Sequence, residues 1–79
     1  MIAIIDYGVG NLFSLRASLE RIGAEAAVTS DPEPIRHSDR IILPGVGAFA
    51  DAAKKLFDSG LASLIKEQAK IKPLLGICL

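Results

Sequence analysis

Four short aliphatic runs, Ile2 to Asp6, Ala26 to Thr29, Arg40 to Leu43 and Pro73 to Leu79, alternate along the chain with stretches of helical periodicity. That alternation constrains the fold more than any other feature. The first and last of these runs read as buried strands, the last of them buried on both faces of the sheet, and the two between as short strands. Strands separated by helices pair in parallel through right-handed crossovers. The expected architecture is an α/β fold with an open, mostly parallel four-stranded sheet and helices on both faces. No internal repeat, linker or low-complexity segment interrupts it.

The first helical stretch opens at Asn11, a good N-cap, and places Leu12, Leu15, Leu19 and Ile22 on one stripe, with Arg16 and Glu20 paired four apart on the polar side. Gly23 closes it. The next polar stretch, Ser30-Asp31-Pro32-Glu33-Pro34, reads as a loop with one short helical turn around Pro34 to His37. After the third strand, Phe49, Ala52, Ala53, Leu56 and Phe57 recur at helical spacing. Ser59-Gly60 interrupts that stripe, and Leu61, Leu64, Ile65 and Ala69 begin another. Two consecutive helices with a bend between them are expected before Pro73 opens the last strand.

Size and charge narrow the function classes. A chain of 79 residues is at most one domain. Nine basic and nine acidic residues cancel without clustering, which leaves no electrostatic footprint for nucleic acid or an anionic membrane. No apolar run is long enough to span a bilayer, and Met1 leads into the first strand without the basic start of a secretory signal, so a cytoplasmic protein is expected. One cysteine and one histidine form neither an internal disulfide nor a metal cluster. No metal or cofactor is expected.

Two of the four runs end in a Gly-Val-Gly tripeptide, Gly8-Val9-Gly10 and Gly45-Val46-Gly47. The first has the outline of a dinucleotide fingerprint, but Phe13 stands where its third glycine belongs and no acidic residue occupies a clear strand end for the ribose. A tight turn with positive φ, or a binding or interface loop, accounts for it better. The last run carries the lone cysteine, Cys78. A cysteine there is either a small core hydrophobe or a nucleophile at the carboxyl end of a strand, where ligands gather in open α/β sheets. Gly76-Ile77-Cys78-Leu79 matches the first part of a G-x-S-x-G nucleophile elbow with Cys for Ser.

A flavodoxin-like strand order, 2-1-3-4, sets the Pro44-Gly45-Val46-Gly47 loop beside Cys78. Such a loop can supply one backbone N–H to a developing oxyanion, and the N–H of Leu79 can supply the other. A thiol also needs a base. The only histidine, His37, follows the second strand, away from the fourth in that order, and reads as a solvated surface residue.

Ile4-Ile5-Asp6-Tyr7-Gly8-Val9-Gly10-Asn11-Leu12, Leu43-Pro44-Gly45-Val46-Gly47-Ala48-Phe49 and the Gly76-Ile77-Cys78-Leu79 terminus together resemble the glutaminase subunits of imidazole glycerol phosphate synthase. These are class I, triad-type glutamine amidotransferases of histidine biosynthesis. The resemblance covers the whole chain in order and spacing, and residues 1–79 would be the N-terminal part of a single amidotransferase domain, ending at the nucleophile elbow. It implies that Cys78 attacks the side-chain amide of glutamine and that Val46 and Leu79 N–H groups form the oxyanion hole. It implies a substrate loop of Pro44, Gly45 and Gly47, in which the Gly45-Val46 peptide rotates to present its N–H. It also implies a (β/α)8-barrel cyclase as heterodimer partner, faced by Val9, Gly10, Asn11 and Ser14. The His and Glu of the family's triad have no counterpart in these residues, so the 79 residues alone are expected not to turn over glutamine. Two other readings compete: a non-catalytic phosphate- or nucleotide-binding module built on the two glycine loops, and an interaction unit that pairs its fourth-strand edge with another chain.

Overall fold

The computed structural model describes residues 1–45 and 49–78, and within this range the side chains of Phe49 and Cys78 are outside the description. Eight elements follow one another: β1 (Ile2–Ile5), α1 (Leu12–Arg21), β2 (Ala26–Thr29), α2 (Pro32–His37), β3 (Arg40–Gly45), α3 (Phe49–Asp58), α4 (Ala62–Ala69) and β4 (Leu74–Cys78). The strands form one sheet in the order β2-β1-β3-β4, and every neighbouring pair is parallel. The expected α/β architecture and strand order are what the structure has.

Alternation of side chains along a strand divides the core between two faces. Ala3 and Ile5 of β1 and Ile41 of β3 point to one face, where they meet Ile35 of α2 and Leu61, Leu64 and Ile65 around α4. Leu43, Ala52 and Leu56 pack against that cluster. Ile4 and Ile42 are buried on the opposite face, the side of α1, which adds nothing to the first cluster. Truncating one of the fully buried isoleucines to alanine would cost about 2–5 kcal/mol.

Local chemistry explains the ends of α1. Asn11 accepts a hydrogen bond from the Ser14 N–H at 3.1 Å through its Oδ1 atom, which satisfies one of the first-turn donors. At the other end Gly23, at φ +83°, donates to Glu20 O and Ala24 donates to Leu19 O, both at 3.0 Å. These two bonds form a Schellman motif, and the glycine makes its left-handed residue inexpensive.

Four features differ from the sequence reading. Residues 32–37 form a helix and not a loop with one turn: Asp31 caps it through Glu33 N–H at 3.2 Å, and prolines at its first and third positions fall where no intrahelical donor is required. Second, β3 does not stop at Leu43; Pro44 and Gly45 stay in the strand because β4 continues beside them. Third, β4 is not buried on both faces. It is an edge strand among the described residues, as β2 is on the other side, and Leu75 is 57% exposed. Fourth, the apolar stripes are only partly used: Ile22, Ala53, Phe57 and Ala69 are exposed, because the described elements offer them nothing to pack against.

Candidate active site

The carboxyl ends of β1, β3 and β4 meet at one edge of the sheet. Cys78 is the last residue of β4 and pairs in register with Gly45, as Ile77 does with Pro44. Pro44 and Gly45 are buried. The expected neighbourhood of Cys78 and the Pro44–Gly45 segment therefore exists in the backbone. Val46, Gly47 and Leu79 lie outside the described residues.

The first glycine loop closes over the same edge. Gly8 and Gly10 have φ of +85° and +95°, values that only glycine adopts readily. The turn drives Val9 inward, where it is buried in the core cluster with Tyr7. Of the four residues read as a partner surface, Val9 thus has its side chain committed to the core, and Gly10 is half-buried. Asn11 and Ser14 are exposed on the first turn of α1.

The two glycine loops touch. The Tyr7 hydroxyl donates a buried hydrogen bond to the carbonyl oxygen of Pro44. A Cβ placed on Gly10 would lie 2.8 Å from the Pro44 Cβ, so the absence of a side chain is what admits the proline ring. Beside this contact, on the α1 face, a cleft of about 310 Å³ is lined by Asn11, Ser14, Pro44, Gly45 and Ile77 among others. Tyr7 escaped the sequence reading. The available signal was chemical: a tyrosine drawn into a core brings a hydroxyl that must find a partner.

His37 is at the other end of the sheet. It precedes the first residue of β3, whereas Cys78 pairs with the last, and five strand steps of about 3.3 Å separate those levels by about 17 Å. Its ring is exposed and lies 3.4 Å from Glu33, one turn earlier on α2. Among the described residues no group of three His, Cys, Asp or Glu side chains could hold a metal ion, and no helix is long and apolar enough to cross a membrane.

A parallel sheet in the order 2-1-3-4, with glycine loops and a cysteine at its carboxyl edge, defines the flavodoxin-like α/β class that includes the class I glutamine amidotransferases. No family model matches the chain. Curated relatives narrow the class. The chain is 58% identical over 80 residues to a Bacillus cereus protein named imidazole glycerol phosphate synthase subunit HisH, covering all of this chain and 38% of that one. Proteins of the same name match at 54% identity in Moorella thermoacetica and 48% in Exiguobacterium sibiricum, over 99% and 100% of this chain. The chain spans 38–40% of the length of these relatives. It corresponds to the N-terminal part of the HisH family.

Proposed function

We propose that these residues are the N-terminal part of one glutamine amidotransferase domain, that of the glutaminase subunit of a cytoplasmic imidazole glycerol phosphate synthase. It hydrolyses glutamine to glutamate and ammonia for a cyclase partner in histidine biosynthesis. The observation that carries this reading is the register of Cys78 opposite Gly45, at the carboxyl edge of a chain 48–58% identical to proteins named HisH.

That register supports the following chemistry. The Cys78 thiolate attacks the side-chain amide carbon of glutamine, and the carbonyl oxygen takes the negative charge of the tetrahedral intermediate. Backbone N–H groups of Val46 and Leu79 stabilise it, a contribution of about 2.7–4 kcal/mol for a single such donor in other acyl-transfer enzymes. Collapse of the intermediate breaks the C–N bond, and the nitrogen leaves as ammonia after taking a proton from a general acid. Water then cleaves the glutamyl thioester, returning the thiol and releasing glutamate. Pro44, Gly45 and Gly47 shape the loop that carries Val46. Backbone of Val9 and Gly10, with the side chains of Asn11 and Ser14, meets the (β/α)8-barrel cyclase.

The test compares two nitrogen sources in the complete protein with its cyclase. Cys78→Ala should remove glutamine-dependent synthesis by at least about 10,000-fold and leave ammonia-dependent synthesis unchanged. Glutamine-dependent turnover that survives the substitution would refute the assignment.

A further inference from the structure

The pairing of β1 with β3 ends at Ile4 and Ile42, so beyond that level β3 keeps only β4 as a neighbour. Along a parallel strand the backbone polar groups of successive residues address alternate sides. Ile41 N–H donates to Pro73 O at 3.0 Å, which assigns Ile41, Leu43 and Gly45 to the β4 side and Ile42 and Pro44 to the β1 side. Pro44 has no N–H to strand in the gap past the end of β1. Its carbonyl does face that gap, and the Tyr7 hydroxyl donates to it there. Gly10 closes against the ring of the same proline, where a Cβ would stand 2.8 Å from the Pro44 Cβ.

We infer that Tyr7 is a positioning residue for the Pro44-Gly45 end of β3, its hydroxyl holding the Pro44-Gly45 peptide while Gly10 backs the proline ring. The inference rests on the proposed role of the Val46 N–H. With the preceding peptide held, the orientation of the peptide that follows Gly45 is set by two torsions only, φ and ψ of Gly45. Loss of the hydroxyl releases the plane before them, and the donor loses its aim at the oxyanion. Neither the thiol nor the glutamine ground state depends on that aim, so the defect belongs to the acylation step.

The experiment uses Tyr7→Phe in the complete protein with its cyclase, which keeps the buried ring and removes one oxygen. The kcat for glutamine hydrolysis should fall about 10–100-fold, with KM for glutamine within about twofold. The rate of Cys78 alkylation by iodoacetamide should be unchanged. A kcat within about twofold of the parent would overturn the inference, as would a fall shared by alkylation rate and glutamine KM, which marks general disorder of the edge. The parallel Cys78→Ala measurement separates the two claims. Glutamine turnover surviving without the thiol refutes the functional reading, whereas a dead Cys78→Ala beside an unimpaired Tyr7→Phe refutes only the role of Tyr7.

Discussion

The two edges of this sheet are built from the same four strands and handle polar groups in different ways. At the amino edge, charged side chains and chain ends settle one another locally. The Met1 ammonium meets Asp39 at 2.5 Å, His37 faces Glu33, and Lys72 donates to the carbonyls of Ile35 and Arg36 at 3.2 and 2.9 Å, closing the end of α2. At the carboxyl edge no ion pair is found among the described residues, and the contacts there engage backbone: the Asp6 carboxylate accepts from Gly8 N–H at 3.4 Å. Positive-φ glycines turn the chain, a tyrosine hydroxyl reaches a proline carbonyl, and the strand carrying the cysteine ends beside Gly45. Exposed charge pairs stabilise little and can be exchanged. Backbone held by a buried hydroxyl and a missing Cβ is specific in position, which is what a reacting centre requires.

Three contrasts would break or sharpen this division. The largest sets Cys78 against His37, the two side chains whose chemistry invites a catalytic reading. In the complete protein, glutamine turnover should vanish with Cys78→Ala and stay within about twofold of the parent with His37→Ala, as steady-state assays would register. Activity lost with His37 would bring the amino edge into the chemistry.

The second contrast matches two glycines at opposite edges. Gly10 and Gly23 both have positive φ, at +95° and +83°, but a Cβ on Gly23 would meet nothing within 4 Å. Gly23→Ala should therefore cost only the left-handed backbone, about 1–2 kcal/mol. Gly10→Ala adds the collision with Pro44, about 1–3 kcal/mol more. Denaturant unfolding of the two variants of the complete protein measures the difference, and equal losses would remove the steric role assigned to Gly10.

The smallest effect is at Asp39. A hydrogen bond from the N-terminal ammonium, and then its charge, hold this exposed carboxyl below the usual carboxylate range. A folded-state pKa that is lowered contributes stability above the ordinary value and loses it as the pH falls through the folded one. Asp39→Asn should accordingly lower Tm slightly near neutral pH, with the gap to the parent closing below about pH 4 and in about 1 M salt. A gap that persisted in acid would assign the loss to something other than the ion pair.

Much of the molecule is legible in the residues themselves. Short aliphatic runs mark all four strands, and the Asn11 cap, the Gly23 stop and the Ser59-Gly60 break are local signals that each lie where the structure has an element boundary. Parallel pairing follows from alternation and crossover handedness, and the 2-1-3-4 order from the likeness to flavodoxin-like sheets. The motifs around Cys78, Pro44 and Gly45 identify the edge on which the chemistry is proposed.

Other properties depend on what lies across space. Hydrophobicity requests burial without naming a partner. Phe57 and Leu75 therefore read as core in the sequence yet stand 76% and 57% exposed, whereas Gln68, polar by composition, is buried. Prolines 32 and 34 read as a loop until the Asp31 cap and the helix's tolerance of proline in its first turn are combined. The Tyr7 to Pro44 bond joins residues 37 positions apart, and its geometry exists only because β1 ends before β3 does. Local chemistry determined which elements this chain forms; the contacts that hold its glycine loops came from how far each strand runs beside its neighbour, a property of the assembled sheet.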